Sequence, residues 1–500
     1  MRQMRRYTVN KLVVLLLLCF TLTNCTDEGL EPQNFDKLTP DNFPQSEEDI
    51  SAALTAIYND MGVNWMHTYI DNDHITVNEL CTDMLISAWG GGWQEKDRFL
   101  WTENSGFVKS LYFGYSKAVT KATLLLDLLE ASEISNAELQ ERYIAEVRVL
   151  RAYFALQLYD LYGPVPLTTD IEVATDINTI HQPERPSKQE VVNFIVTELN
   201  AAADKLPVRY SSGNDYGRLT QGAALTMLMK LHLIEKDFAA VAQVTETIMG
   251  LGYDLLDDYN DVFSTKTENN ENKEVILAIP KIADGYGTTW YAVVLPQTPR
   301  YRPITGITVN IWGGLKTPWS VYDRYEEDND DRLGDAMIRY YHDTDGNLVD
   351  FREQTNAKAV GASPKKYQED PDHMGNFQGN DIVRYRFADV ILARAEALNE
   401  LNGPTADVVA LVNRIRNRVH TTPIEETGWT KETMRDYILD ERGRELFCEG
   451  HRRQDLIRHG KLIEKAHELG RLDAAPHHVL FPLPQSLFDE NPNVTQNPGY

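Results

Sequence analysis

The segment from Glu441 to Arg458 holds the densest set of side chains that could do acid–base chemistry. Glu441, Glu445 and Glu449 are four residues apart, so a helix places their carboxylates on one face. Two carboxylates about 5–9.5 Å apart could hydrolyse a glycosidic bond. Arginines, however, are interleaved with these acids, at Arg442, Arg444, Arg452 and Arg453. We therefore predict a structural ion-pair network between these acids and arginines, not a catalytic pair.

Metal-ligating patterns are weak along the chain. Asp343, Asp345 and Asn347 are spaced like the start of a calcium loop, but the glycine comes too early and Gln354 stands where such loops have glutamate. The segment favours the turn of a β-hairpin. The adjacent pair His477-His478 lacks ligand spacing for a helix. We expect no cofactor, and the alternative of a structural calcium ion is not supported by the spacing.

Residues 1–24 have the pattern of a secretory signal peptide. Basic residues precede an apolar run from Leu12 to Leu22, which is about half the ~20 residues that a membrane-spanning helix needs. Cys25 follows directly, in a loose form of the motif at which bacterial lipoproteins are cleaved and acylated. We predict lipidation of Cys25 and a tether over 25–45. The alternative is an ordinary cysteine after the signal peptide.

The charge balance argues against one class of partner. The chain has 75 acidic and 49 basic residues, a net charge of −26, so little is left to neutralise phosphates, and we expect no nucleic acid. An acidic surface also repels anionic lipid, so membrane attachment depends on the anchor. We expect Cys81 and Cys448 to be free, buried thiols, with a disulfide between them as the alternative.

Periodicity and capping residues predict the scaffold that must position any site. Apolar residues at helical spacing favour helices within about 46–62, 111–250 and 381–475. The helix pair at 218–250 has the size of a tetratricopeptide repeat, and 382–419 forms a second pair. Two segments, 63–110 and 253–380, lack sustained helical period and concentrate aromatic residues. We predict an all-α fold with these two as large irregular loop insertions containing minor short strands.

A series of motifs runs in order along essentially the whole chain. They are the anchor motif at Cys25, Glu146 to Leu167, Arg185-Pro186-Ser187, Asp330-Asp331-Arg332, Arg394 to Asn399, Glu441 to Arg458, Phe481-Pro482-Leu483-Pro484 and Gln496 to Tyr500. In type and order they resemble the SusD/RagB family of outer-membrane lipoproteins of Bacteroidetes. Leu111 departs from the pattern, because an aromatic residue is usual there.

This resemblance implies a SusD-like domain over 46–500, an α-superhelix of tetratricopeptide-like helix pairs with a variable loop face. It also implies a lipid-anchored protein that faces the cell surface on the outer membrane and partners a SusC-like TonB-dependent barrel. In that role the protein is a hinged lid that captures a nutrient, most often a glycan, and delivers it to the transporter.

The candidate ligand-binding residues are aromatic. A sugar has apolar C–H faces and hydroxyl edges, so a protein that holds it without cleaving it needs exposed rings. Trp89 is the strongest candidate, because it precedes three glycines and matches a stacking tryptophan in the family's starch-binding member. The other candidates are Trp93, Trp65, Trp290, Tyr291, Tyr301 and Trp312. The alternative is core packing, which we expect for Trp101 and Trp319.

The sequence and the resemblance together predict non-catalytic capture of oligosaccharide or polysaccharide. No nucleophile elbow, metal motif or phosphate loop is present, so we expect no enzyme. Binding of a peptide or another nutrient in the same transport complex is the alternative. A surface glycoside hydrolase and a structural tetratricopeptide adaptor are less favoured.

Overall fold

The computed structural model describes residues 46–62, 73–132, 136–176, 178–269, 272–284, 287–296, 311–327, 329–342, 345–354 and 360–500. The chain divides into two compact units, Met1–Ala52 and Ala53–Tyr500. Of the first unit only 46–52 are described, where Ser46 and Asp49 cap the first helix through two reciprocal hydrogen bonds of 3.1 Å. The predicted signal peptide, the tether and Cys25 lie outside the described residues.

Helices make up most of the described chain. They are α1 Glu47–Gly62, α2 Asp73–Glu79, α3 Gly92–Arg98, α4 Gly106–Ala131, α5 Ala137–Tyr162, α6 Ile171–Thr175, α7 Lys188–Ala203, α8 Gln221–Glu235, α9 Phe238–Met249, α10 Trp290–Val294, α11 Trp319–Glu327, α12 Arg332–Ala336, α13 Phe387–Asn402, α14 Ala406–Arg418, α15 Lys431–Glu445, α16 Arg452–Arg458, α17 Leu462–Glu468 and α18 Gln485–Glu490. Among these helices, none is long and apolar enough to cross a bilayer.

Successive helices pack side by side in a continuous series. Helix α4 packs on α5, α5 on α7, α7 on α8, α8 on α9, α9 on α13, and α13 on both α14 and α15. Helix α5 is buried over most of its length because α4 and α7 cover it. Local signals set the helix starts: Ser187 and Glu190 form a capping box, and Thr220 caps α8. The predicted all-α arrangement of tetratricopeptide-like pairs is confirmed.

Short strands lie in the two insertions and at the start of α13. They are β1 Ile86–Ser87, β2 Val275–Ile279, β3 Leu315–Pro318, β4 Tyr340–His342, β5 Leu348–Asp350, β6 Gly361–Ala362 and β7 Ile382–Arg386. They form a three-stranded sheet in the order β1-β3-β6, a β2-β7 pair and a β4-β5 pair, with antiparallel partners throughout. The β4-β5 pair flanks Asp345 and Gly346, as the predicted hairpin requires.

The predicted helix boundary at Ile382 is wrong. Residues Ile382–Arg386 form β7, which pairs with β2, and α13 begins only at Phe387. The Phe387 N–H donates to the Glu274 carbonyl (2.8 Å), so a partner distant in sequence takes the hydrogen bond that a helix would need. The insertion at 63–110 is also more ordered than predicted, since α2, α3 and the start of α4 lie within it.

The acids of the Glu441 to Arg458 segment do form an ion-pair network, but mostly with other partners. Glu445 accepts from Arg332 (2.8 Å), Arg386 (2.5 Å) and Arg418, all from other parts of the chain. Of the four predicted arginines only Arg444 binds one of these glutamates. The others reach different acids: Arg442 binds Asp389 and Asp455, Arg452 binds Asp83, and Arg453 binds Asp160.

The two cysteines that follow Cys25 in the sequence are free thiols. Cys81 and Cys448 are both buried and not bonded to each other, as predicted. Burial raises the pKa of the Cys81 thiol to about 11. At neutral pH this thiol is therefore protonated, which fits a packing role and not a reactive one.

Candidate functional site

A strand pair joins the two aromatic insertions. Strand β1 comes from the first insertion and β3 from the second, with Ile86 opposite Lys316 and Ser87 opposite Leu315. The ladder continues past the strand ends, because the Ala88 N–H donates to the Gly314 carbonyl (2.8 Å). Trp89 and Trp312 therefore come from segments far apart in sequence and lie at the same end of this pair.

Trp89 is half-buried and rests on the backbone of Gly314. A Cβ atom at Gly314 would lie 1.8 Å from Cε2 of the indole, so only glycine leaves room for the ring. Trp93 contacts Trp89 edge to face, with ring centroids 5.0 Å apart. Lys96 Nζ lies 5.1 Å from the Trp93 ring centroid and helps to fix it. Both indoles also pack against the main hydrophobic core, so their positions are held from below.

Trp312 borders a small open recess. The recess has a volume of about 240 Å³ and is lined by Thr289, Trp312, Met374, Gly375, Asn376 and Phe377. Two hydrogen bonds to the Ala292 carbonyl, from Trp312 (2.6 Å) and Gly313 (3.0 Å), tie this backbone to α10. We call Trp89, Trp93, Trp312 and this recess together the tryptophan site.

The glycines after Trp89 leave the front of the site open. Gly90 and Gly91 are exposed, and Gly91 has φ +63°, a conformation that favours glycine. A Cβ at Gly90, Gly91 or Gly92 would meet nothing within 4 Å. A flat ligand can therefore approach the backbone closely at this point.

Arginines bind two of the carboxylates near Trp89 in sequence, Asp83 and Asp97. Burial raises the pKa of Asp83, but Arg452 outweighs this effect and holds it below its usual range. Burial raises the pKa of Asp97, although this carboxylate binds Arg471. None of the described residues that line the recess is acidic. The site offers the half-buried rings of Trp89, Trp93 and Trp312, which suit stacking on a ligand.

Two of the sequence candidates are wrong. Trp290 and Tyr291 are fully buried, with exposed fractions of 0% and 1%, so neither ring offers a face to a ligand. Their polar atoms are used inside the core: Trp290 Nε1–H donates to the Lys365 carbonyl (2.9 Å) and the Tyr291 hydroxyl to the Tyr367 carbonyl (3.0 Å). They anchor helix α10, whose Ala292 carbonyl accepts the hydrogen bond from the Trp312 N–H. Trp65 and Tyr301 lie outside the described residues and stay predictions.

The sequence interpretation missed the turn Met374–Phe377. Met374 and Phe377 exchange two backbone hydrogen bonds of 2.9 and 3.0 Å around Gly375 and Asn376. A Gly-Asn pair between apolar residues is a hairpin signal that could have revealed this turn. The local sequence pattern could not have predicted that this turn lies beside Trp312. Trp101 is core, as predicted, whereas Trp319 is half-buried against the core under Arg352.

Gly314→Ala should displace Trp89 without touching any ligand atom. The added methyl group would collide with the indole, so the ring must leave its place. We expect glycan affinity to fall roughly tenfold, as for partial loss of one stacking ring, with a shift of tryptophan fluorescence. Gly334→Ala is the matched control, because Gly334 is exposed in α12, outside the tryptophan site, and its Cβ would enter open space. Equal affinities for the two variants would contradict this placement of Trp89.

One pair of carboxyl groups elsewhere has strongly perturbed acidity. Burial and the neighbouring Asp381 raise the pKa of Glu268 to about 8, and burial raises the pKa of Asp381 to about 6. The Asp381 N–H donates to Glu268 Oε1 (2.9 Å), and the Tyr216 hydroxyl donates to Asp381 Oδ2 (2.5 Å). Neither carboxyl lines the tryptophan site.

This pair predicts a pH dependence of stability. Because the folded pKa of Glu268 lies above its ordinary 4.5, ionisation opposes folding, and stability falls as pH rises from about 4.5 to 8. Glu268→Gln should remove this dependence of the free energy of unfolding on pH and raise that free energy by about 1–2 kcal/mol at pH 8. The value is reduced because Glu268 is partly exposed and solvent screens its charge. Urea unfolding at pH 5 and 8 measures it, with exposed Glu425→Gln as the control. An unchanged slope in Glu268→Gln would exclude Glu268 as its source.

The fold and the site together define a superhelical protein of tetratricopeptide-like helix pairs that carries an aromatic site on its loop insertions. The SusD family model matches residues 273–500, and a model described as starch-binding, associating with outer membrane, matches residues 33–233. The chain belongs to the SusD/RagB family.

Relatives match along nearly the whole chain. SusD-like protein P25 of Formosa agariphila is 25% identical over 544 residues, covering 98% of this chain and 99% of that protein. The starch-binding protein SusD of Bacteroides thetaiotaomicron is 25% identical over 488 residues, covering 85% of this chain and 84% of that protein.

Solved structures have the same fold. A laminarin binding SusD-like protein superposes with a TM-score of 0.77 at 22% identity, covering 91% of this chain and all of that one (100%). Surface glycan-binding protein A from Bacteroides fluxus gives 0.72 at 21% identity, covering 91% of this chain and 100% of that one. At these identities the likeness establishes the fold alone.

Proposed function

We propose that this protein captures oligosaccharide or polysaccharide at the tryptophan site without cleaving it. The observation that carries the proposal is that Trp89 and Trp312, from two insertions, lie at the same end of the β1-β3 pair, with Trp312 in a recess whose described lining has no acidic residue. Rings held from below by the core can stack on sugar C–H faces at little entropic cost. Relatives named for starch and laminarin binding support the same ligand class.

The protein then passes its ligand to a transporter in the outer membrane. We propose that Cys25 carries lipid, that the domain faces the cell surface, and that a SusC-like TonB-dependent barrel is the partner. The family description, associating with outer membrane, supports the location. In this arrangement the protein supplies affinity and the barrel supplies passage, so the capture step needs no chemistry.

A panel experiment tests capture. The mature domain without its lipid is run through gels that contain starch, laminarin, xylan or no polysaccharide, and a peptide pool is tested by calorimetry. We expect retardation by at least one polysaccharide with no release of reducing sugar. Binding of peptides and of no polysaccharide would favour the peptide alternative. Release of sugar that is abolished by changing a single carboxylate would overturn the non-catalytic proposal.

A further inference from the structure

A second depression lies apart from the tryptophan site. It has a volume of about 420 Å³, within the range of about 300–1,000 Å³ that is usual for small-molecule sites. Three stretches wall it: residues 55–62 of α1, the turn 214–218, and the segment 278–282 that follows β2. None of these walls belongs to the tryptophan site.

Two tyrosine rings form the rigid part of the lining. Tyr58 and Tyr216 are half-buried, and a carboxylate holds each hydroxyl: Tyr58 donates to Glu146 (2.5 Å) and Tyr216 to Asp381 (2.5 Å). The hydroxyls are thus fixed within the protein, and both residues line the depression, with the Arg218 guanidinium 5.9 Å from the Tyr58 ring centroid. Asp381 also accepts from the Lys281 N–H (2.9 Å), so one carboxylate holds two walls together.

The charges of the lining favour a neutral ligand. Two cationic side chains, Arg218 and Lys281, line the depression. The Arg218 guanidinium is compensated by Glu146 (3.0 Å) and Asp215 (3.1 Å), so it presents little net charge. Lys281 Nζ donates to the Gly62 carbonyl (3.5 Å), and its charge interacts favourably with the Asp381 carboxylate. The rim carries the exposed carboxamides of Asn59 and Asn214, which can donate to and accept from hydroxyl groups. Pinned rings, amides at the rim and compensated charge are the features that recognise a neutral sugar.

Two neighbouring stretches of backbone, which we call the ridge, connect the lining of this depression with the lining of the recess. In the ridge, residues 280–284 and 287–289 run beside residues 374–379: Thr288 and Gln378 exchange two backbone hydrogen bonds of 2.9 Å. A Cβ at Gly379 would lie 3.9 Å from Ile282 Cα. Ile282 lines the depression and Met374 lines the recess, and both are large apolar residues more than half exposed, at 56% and 58%. A chain that crosses the ridge would cover both.

We propose that this depression is a second carbohydrate site, which takes a further stretch of the neutral glycan chain held at the tryptophan site. The inference rests on the proposed function, because it assumes a glycan at the tryptophan site. Two linked sites on one ligand raise the affinity for long chains above that for short ones without any new contact at the first site.

Filling the depression tests this inference. Asn59→Trp and Asn214→Trp place a large ring in it from opposite walls, and Ala56→Trp on the exposed face of α1 is the matched control. Calorimetry compares laminaritriose with laminarin, and maltotriose with soluble starch. We expect each filling variant to lower polymer affinity on the order of 10- to 100-fold and leave trisaccharide affinity unchanged. The control should match the wild type.

A measurement on the wild type covers the case in which the filled variants do not fold. Hydrogen exchange should show polymer protecting the amides of 279–282 while the trisaccharide does not. Unchanged polymer affinity in both folded filling variants, or no such protection, would overturn the second site. A wild type that binds none of the polysaccharides of the starch, laminarin and xylan panel, and neither trisaccharide, would overturn the proposed glycan function as well.

Discussion

Replacing Trp89 and Trp312 together by alanine should lower glycan affinity on the order of 100-fold. The two rings come from the two insertions and lie at the same end of the β1-β3 pair. If each stacking ring contributes about 1.5 kcal/mol, their joint loss of about 3 kcal/mol corresponds to this change in dissociation constant. Tryptophans at the centre of a binding surface are also the residues whose truncation costs most. Calorimetry with the best-retained polysaccharide of the starch, laminarin and xylan panel measures the effect.

Trp429→Ala is the matched control for this prediction. Trp429 is also a half-buried tryptophan, but it packs on Tyr437 in a separate core cluster of the helical scaffold. Its loss should weaken folding without changing affinity measured well below the melting temperature. Equal loss of affinity in the control and in the double variant would mean that the effect comes from destabilisation. Unchanged affinity in the double variant would remove the tryptophan site from the proposal.

The helical scaffold could be predicted because its signals are local. The Ser187–Glu190 capping box and the stripe through Val191, Ile195 and Leu199 set α7 within a single stretch of sequence. The error at Ile382 has the opposite origin. Strand β7 exists because β2, about a hundred residues earlier, supplies its hydrogen-bond partners, and no local pattern contains that information.

The candidate site could be predicted in part for the same reason. Composition pointed to aromatic residues in two insertions, but burial decides which of them can bind. Trp312 is half-buried, whereas Trp290 and Tyr291 of α10 turn into the core and donate to the carbonyls of Lys365 and Tyr367. The place of Trp89 over Gly314 depends on the register between β1 and β3, which short strands specify through contacts distant in sequence.

The ion-pair network shows that the spacing of acidic residues in the sequence can indicate an ion-pair network but does not identify the basic residues that pair with them. Glu441, Glu445 and Glu449 share a side of the chain that faces Arg332, Arg386 and Lys366 from the second insertion and β7. The arginine next to Glu441 in sequence, Arg442, instead binds Asp389 of α13. Adjacent residues on a helix point about 100° apart, so interleaved charges seldom pair with one another. The network therefore joins the insertion to the scaffold.

Glu445→Gln should destabilise the folded protein by about 3–5 kcal/mol, the cost of breaking a buried ion pair from one side. Glu445 is completely buried and forms ion pairs with Arg332, Arg386 and Arg418. Glutamine keeps the size of the side chain but removes the charge, so three guanidinium groups share fewer acceptors in a site without water access. Urea unfolding at pH 7 measures the loss. Glu468→Gln, which breaks the exposed pair with Lys465, should change stability by less than about 0.5 kcal/mol.

The pH dependence distinguishes this charge effect from a packing defect. Burial raises the pKa of Glu445, but Arg418, Arg386 and Arg332 outweigh it and hold that pKa well below 4.5. The stability that the carboxylate contributes is thus complete above pH 4.5 and is lost as pH falls through the folded pKa. The gap between wild type and Glu445→Gln should therefore be largest at neutral pH and shrink in acid. A gap that is constant from pH 7 to 3 would indicate that the glutamine disturbs packing, and that the insertion is held on the scaffold by something other than this buried charge.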